Sequence, residues 1–208
     1  MQILIPFYSR YGNVAILAET IAKGALDVKG IEVKLAYCRD TFTPREIIER
    51  DKRWREMSDR LATKYPEPTL DDLRACAAMI QGSPTRFGNM AAPLKALWDA
   101  SSSIWLEGSL AGKVGACFTA TSSMHGGQET TLASMYFPMI HHGMIIVGLP
   151  YTEPKLATTT GGGSPYGPSA VVGPASDRPP TQDDLELAHA LGKRVASITA
   201  KLQSASAG

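Results

Sequence analysis

Cysteine is scarce in this chain, and where it occurs it is isolated. The 208 residues hold three, Cys38, Cys76 and Cys117, odd in number and with no CxxC pair. That spacing supports neither a redox disulfide nor a metal site. Cys76 and Cys117 lie among apolar residues and read as small core residues. An excess of one charge sign is also missing. The formal net charge is +1, which advertises neither a nucleic-acid surface nor the acidic face of an electron carrier. No apolar run approaches the length of a membrane span. The opening MQILIPFYSR has no basic leader and no small-residue cleavage site, so no secretory signal is expected. There is no internal repeat. What remains is ordinary: 44% hydrophobic and 20% charged residues suit one globular domain with a sizeable core. A soluble cytoplasmic protein is the expectation.

Five short runs read as strands, at 3–8, 31–37, 77–81, 114–119 and 144–149. The second alternates Ile31, Val33 and Leu35 with Glu32 and Lys34, as a half-exposed edge strand should. The others are nearly continuous apolar runs, as in strands covered on both faces. Helical spacing separates them, at 14–28, 92–100, 128–141 and 183–202. Lys23 and Gly24 mark a fair place for a C-terminal bend of the first helix, the alternative being a helix that continues to Val28, and Pro138 lies inside the third. Strands alternating with helices predict an α/β fold, a doubly wound parallel sheet with helices on both faces. Five strands suggest the flavodoxin-like order 2-1-3-4-5, with a ligand at the switch point between the first and third strands. A single domain is expected over 1–203, with a disordered tail at 204–208. Within it, 41–74 is a charged excursion, read as solvated and partly helical. A Gly/Pro-rich loop at 156–180 is long enough to suggest a functional or interface role. Pro6 fits poorly in a central strand and predicts a missing ladder bond or a bulge.

Three turns fall at the carboxyl ends of strands. After the first strand comes S-R-Y-G-N and then a helix. The first amides of a helix are unpaired and its dipole favours negative charge there, so this turn is a candidate anion site. Ser9 adds a hydroxyl, and Asn13 adds an amide or caps the helix. The turn is neither GxGxxG nor GxxxxGK followed by Ser or Thr, so one phosphate, not a pyrophosphate or triphosphate, is its natural guest. After the third strand, PTRFGNM offers backbone amides, the Thr85 hydroxyl, the Arg86 guanidinium and the Phe87 ring. That set suits a planar, hydrogen-bonding ring such as a flavin. After the fourth strand, TATSSMHGGQE supplies hydroxyls and small residues that let backbone amides approach a ligand. His125 lies in this loop, and His141 and His142 end the next helix. No carboxylate or cysteine shares a ligand-like spacing with them, so no metal is expected.

SRYGNV, SPTRFGNM, HGGQET, HHGM and GGGSPYG occur in this order. Together they closely resemble the WrbA-type NAD(P)H:quinone oxidoreductases, FMN proteins of flavodoxin-like fold. The resemblance runs from the first strand to about Leu202. It implies that Ser9, Arg10, Tyr11, Gly12, Asn13 and Val14 form the FMN phosphate loop, with Tyr11 also near bound nicotinamide nucleotide. It places Pro84, Thr85, Arg86, Phe87 and Gly88 beside the ribityl chain and isoalloxazine. Ala120, Thr121, Ser122, Ser123, Met124, His125 and Gly126 would wrap the flavin. His141 matches the family histidine near the ring and is the catalytic candidate. Trp105 matches an aromatic that closes the substrate side, often across a subunit contact. By its residues alone Trp105 reads as a core tryptophan. The loop TATSSMHGGQE is one residue longer than the commoner STGTGGGQE form, and the charged stretch is not a shared motif.

The implied activity is FMN-dependent two-electron reduction of quinones by NADH or NADPH in a ping-pong cycle, by a homotetramer that binds neither nucleic acid nor membrane. The competing class is a non-enzymatic FMN module, either an electron carrier or a redox-responsive binding partner. The near-zero net charge argues mildly against a carrier.

Overall fold

The computed structural model describes residues 1–206. Its centre is a parallel sheet of six strands. β1 (Gln2–Phe7), β2 (Glu32–Tyr37), β3 (Ala78–Pro84), β4 (Val114–Thr121) and β5 (Ile145–Ile146) lie in the order β2-β1-β3-β4-β5. This is the 2-1-3-4-5 order of the sequence reading. β6 (Ser169–Val171) is a short addition that pairs with β4. The helices are α1 (Asn13–Leu26), α2 (Arg45–Arg50), α3 (Lys52–Lys64), α4 (Leu70–Ala75), α5 (Ala92–Asp99), α6 (Ser102–Leu106), α7 (Gln128–His141), α8 (Pro154–Thr158) and α9 (Gln182–Ser206).

β3 and β4 are buried along almost their whole length, which is why their sequences carry no alternation. Both run further than expected, because Ser83 pairs with Thr119 and Pro84 with Ala120. β5 is shorter than expected. Val147 still donates to the Gly115 carbonyl at 2.8 Å, but the Leu149 amide turns to Pro165 at 2.9 Å. A Cβ at Gly148 would overlap the Pro165 carbonyl. The chain leaves the sheet there, and β6 takes over the free edge of β4 at Thr119–Thr121. At Pro6 the ladder to β2 is continuous. The ladder to β3 passes from Leu4↔Met79 to Phe7↔Gly82 with the register unchanged. Pro6 therefore sits in a gap without a bulge.

One face of the sheet carries α1 and α9 in close contact. Gly24 is not a helix stop. It lies within α1, where a Cβ would overlap the His189 carbonyl of α9, and Gly192 faces the Ile21 carbonyl in the same way. The two glycines let the helix backbones touch. On the other face Gln81 of β3 is fully buried and satisfied: it donates to the Met135 carbonyl of α7 at 2.8 Å and accepts from Trp98 Nε1 of α5 at 2.7 Å. An unpaired amide there would cost more than the bonds contribute. The charged excursion folds into α2, α3 and α4 and buries Ile48, Trp54, Leu61, Tyr65 and Leu73. The tail expected from 204 is helical through Ser206 and otherwise lies outside the described residues. Among the described residues no helix is long and apolar enough to cross a membrane.

Candidate functional site

The carboxyl ends of β1, β3 and β4 open on one cleft of about 290 Å³. Its walls are Ser9, Arg10, Tyr11, Asn13 and Val14 after β1, Pro84, Thr85 and Arg86 after β3, Ala120, Thr121 and Ser122 at the end of β4, and Val172, Pro174 and Ser176 after β6. Three sequence-predicted turns thus meet at the switch point, where open parallel sheets leave room for a ligand.

The first turn is built by Ser9, whose Oγ accepts from the Gly12 amide at 3.1 Å and the Ala15 amide at 3.4 Å. Gly12 is the N-cap of α1 at φ 96°, a conformation that favours glycine. Asn13 does not cap the helix. Its Nδ2 donates to the Ser176 carbonyl at 3.0 Å. The amides of Asn13 and Val14 take no partner among the described residues, leaving donors directed at the turn. Arg10 Nε is a buried donor that is also without a partner. Such orphaned donors suit an anion placed against the turn. The donor set therefore fits a single phosphate monoester.

The second turn is a tight reversal. Arg86 and Asn89 exchange backbone bonds of 2.7 and 3.0 Å, with Phe87 at φ 54° and Gly88 at φ 78° between them. Two successive residues at positive φ are the mark of a type I′ turn. Thr85 stays on the cleft wall: its amide donates to Ala120, and its Oγ1 accepts from the Gly88 amide and the Thr131 hydroxyl. Phe87 and Gly88 do not line the cleft, and the Phe87 ring is fully exposed. In the third loop only Ala120, Thr121 and Ser122 reach the cleft. Ser123, Met124, His125 and Gly126 fold back at its rim, held by Thr121 Oγ1 to the Ser123 carbonyl and Gln128 Nε2 to the Met124 carbonyl.

Trp105 and His141 lie elsewhere. α7 runs back from the end of β4, so His141 lies toward the opposite end of the strands, where β5 begins beside Val114. There Trp105 Nε1 donates to the His141 carbonyl at 3.0 Å. The two share a cavity of about 460 Å³ with Lys95, Trp98, Ser101 and His142. Trp105 is 52% exposed, not a core residue; Trp98 and Trp54 are the buried tryptophans. His142 Nε2 lies 2.9 Å from Ser101 Oγ, and burial, then the neighbouring His141, pushes its pKa down.

Two contributions to the cleft escape the three motifs. Val172, Pro174 and Ser176 arrive through β6, whose SAVV run is a short apolar signal inside a Gly/Pro-rich segment. The second is indirect: Asp51, Arg53 and Trp54 of the charged excursion do not line the cleft but pack against Arg10 and Tyr11 of its first turn. Asp51 caps α3 by accepting from the Trp54 amide at 3.0 Å, and it also accepts from the Tyr11 hydroxyl at 2.5 Å. The Arg10 guanidinium lies 3.7 Å from the centroid of the Trp54 ring. An Asp followed by Trp54, Met57 and Leu61 at helical spacing is the signal that could have revealed a packed helix here.

Fold and cleft together define a class, the flavodoxin-like mononucleotide-binding α/β proteins. A family model described as NADPH-dependent FMN reductase matches residues 9–152. A "NAD(P)H dehydrogenase (quinone)" of Geotalea daltonii is 42% identical over 205 residues, 97% of this chain and 98% of the relative. A protein of the same name from Trichlorobacter lovleyi is 41% identical, with 97% and 98% covered. Among solved structures, a WrbA-like flavodoxin from Agrobacterium tumefaciens shares the fold at TM-score 0.62 and 22% identity, covering 96% of this chain and 98% of its own. The chain belongs to the NADPH-dependent FMN reductase family and, within it, groups with the relatives named NAD(P)H dehydrogenase (quinone).

Proposed function

We propose that this protein is an FMN-dependent NAD(P)H:quinone oxidoreductase that reduces quinones by two electrons in a ping-pong cycle. The observation that carries the reading is the set of unpartnered donors, the Asn13 and Val14 amides and Arg10 Nε, facing a cleft at the switch point of the sheet. FMN, when bound, supplies the ring that takes a hydride from NADH or NADPH and passes two electrons to a quinone.

The turn from Ser9 to Val14 holds the phosphate through its amides, and Arg10 adds the charge. Thr85 and Thr121 offer hydroxyls on the cleft wall, and Ala120 and Ser122 keep it narrow. The cleft is at the small end of ligand sites, which run from roughly 300 Å³ upward. Phe87, Gly88 and the residues from Ser123 to Gly126 would stand beside a bound flavin, on the side where a second ligand would enter. Tyr11 stands at the rim for the nicotinamide nucleotide. His141 orients the quinone oxygen and supplies its proton, and Trp105 closes that side.

Within one chain those two residues stand at the far end of the strands from the cleft, so their role requires a second copy. We infer a homotetramer, supported by the exposed apolar side chains of Phe87, Trp105, Leu106, Phe137 and Ile140. The cytoplasm is the expected compartment, in keeping with three separate free cysteines. Titration with FMN and with riboflavin tests the cofactor reading. Saturable quenching by FMN at one per chain, with riboflavin at least about tenfold weaker, is expected. Equal affinity for the two would remove the phosphate site and the reading with it.

A further inference from the structure

The segment between β2 and β3 places α3 against the phosphate-binding turn. Asp51 accepts from Tyr11 and caps α3, Arg10 lies over Trp54, and the Met57 side chain faces Gly12. From the same end of α3, the Arg53 guanidinium reaches across to the segment that follows β6. Nη1 donates to the Ala175 carbonyl at 2.7 Å and Nη2 to the Ser176 carbonyl. The Ser176 carbonyl also accepts from Asn13 of the turn. Ser176 is a non-glycine residue at φ 52°, a conformation that persists only where neighbours hold it. Pro174 and Ser176 form one wall of the cleft. Arg53 lies 4.7 Å from the Tyr11 ring centroid, so one exposed guanidinium touches the turn and the opposite wall together.

We propose that Arg53 is a positioning residue that straps the 173–178 segment to the phosphate-binding turn and sets how long a flavin phosphate stays in the cleft. It need not touch the flavin. It adds two bonds to a wall otherwise held to the turn by Asn13 Nδ2 alone and within itself by the Ser176 and Arg178 amides. Charge-assisted bonds are stronger than neutral ones, and this pair closes a loop between residues more than a hundred positions apart. The inference rests on the flavin reading above. Arg53 is exposed, so its replacement leaves the core intact.

The test compares native protein with Arg53→Gln and Arg53→Lys, each loaded with FMN. Dissociation of FMN is followed by recovery of flavin fluorescence, and amide exchange at 173–178 is measured without flavin. Arg53→Gln is expected to release FMN about tenfold faster and to speed exchange at 173–178, while riboflavin binding changes much less. Arg53→Lys, which keeps the charge and loses the fork, is expected to fall between. Exchange raised throughout, with binding of both flavins weakened alike, overturns the strap by showing that Arg53 supports the fold as a whole. Unchanged FMN release from Arg53→Gln, in a protein whose native form retains FMN, overturns the strap alone. A native protein that takes up no flavin overturns the flavin reading and the strap's role in it.

Discussion

At the residue scale the site depends on how few atoms each position carries and where their protons point. Gly12 holds φ 96° and faces Met57, whose Cε would lie 2.9 Å from an added Cβ. Gly12→Ala is expected to cost about 1–2 kcal/mol from the backbone conformation alone and to weaken FMN binding. Urea denaturation and flavin titration of the variant measure both. Asp51 has a pH signature. The Tyr11 hydroxyl that donates to it holds its carboxyl below the usual range. A carboxyl with a lowered folded pKa contributes stability above its ordinary value, near ~3.9, and loses it as pH falls through the lowered one. The bond between α3 and the turn is thus expected to hold at neutral pH and fail in acid, with FMN release rising below about pH 4. Asp51→Asn should show faster release already at pH 7 and a flatter acid limb. An acid limb identical to that of the native protein would assign the effect to another group.

Legibility at this scale was uneven for physical reasons. Ser9, Arg10, Tyr11, Asn13 and Val14 could be placed on the cleft because a strand–turn–helix leaves them no other direction. Phe87 could not, because a type I′ turn throws its second residue outward and the sequence shows only that a turn is there. His141 and Trp105 are a further case. Their proximity to each other follows from the return path of α7, and the separation of both from the cleft follows from the same path, which the sequence motifs do not display.

At the element scale the alternation of strands and helices was readable because buried parallel strands are short apolar runs. The exceptions share one cause, tertiary contact overriding local pattern. Gly24 looks like a helix stop and is instead a point of backbone approach between α1 and α9. β5 ends early because Pro165 caps its path, and β6 appears because the edge of β4 is then free. The charged excursion is a packed set of helices because Trp54, Leu61 and Leu73 outweigh the charges around them. Close approach at Gly192 gives a direct expectation. Gly192→Leu should overpack the helix pair and cost about 1–3 kcal/mol or more, lowering Tm by about 2–4 °C per kcal/mol in a thermal melt. A variant as stable as the native protein would mean that α9 shifts without penalty.

At the scale of the whole molecule, one chain supplies a cleft at the carboxyl ends of the strands and a histidine–tryptophan cavity toward their amino ends. In the proposed oligomer a second copy brings the two together. Sedimentation at micromolar concentration is expected to report a tetramer. Phe137→Glu, on an exposed apolar face of α7, should shift it to smaller species that still bind FMN but reduce quinone at least about tenfold more slowly. A monomeric Phe137→Glu with native turnover would place the whole active site within one chain.

Anaerobic reduction of the FMN-loaded protein with NADH and with NADPH, followed at the flavin absorbance and then by addition of benzoquinone, separates an oxidoreductase from an FMN carrier. Bleaching by at least one nucleotide and full recovery on quinone addition is the expected result, and the faster nucleotide is the preferred one. Protein that binds FMN but is reduced by neither nucleotide would contradict the oxidoreductase reading and leave an FMN carrier or binding module in its place.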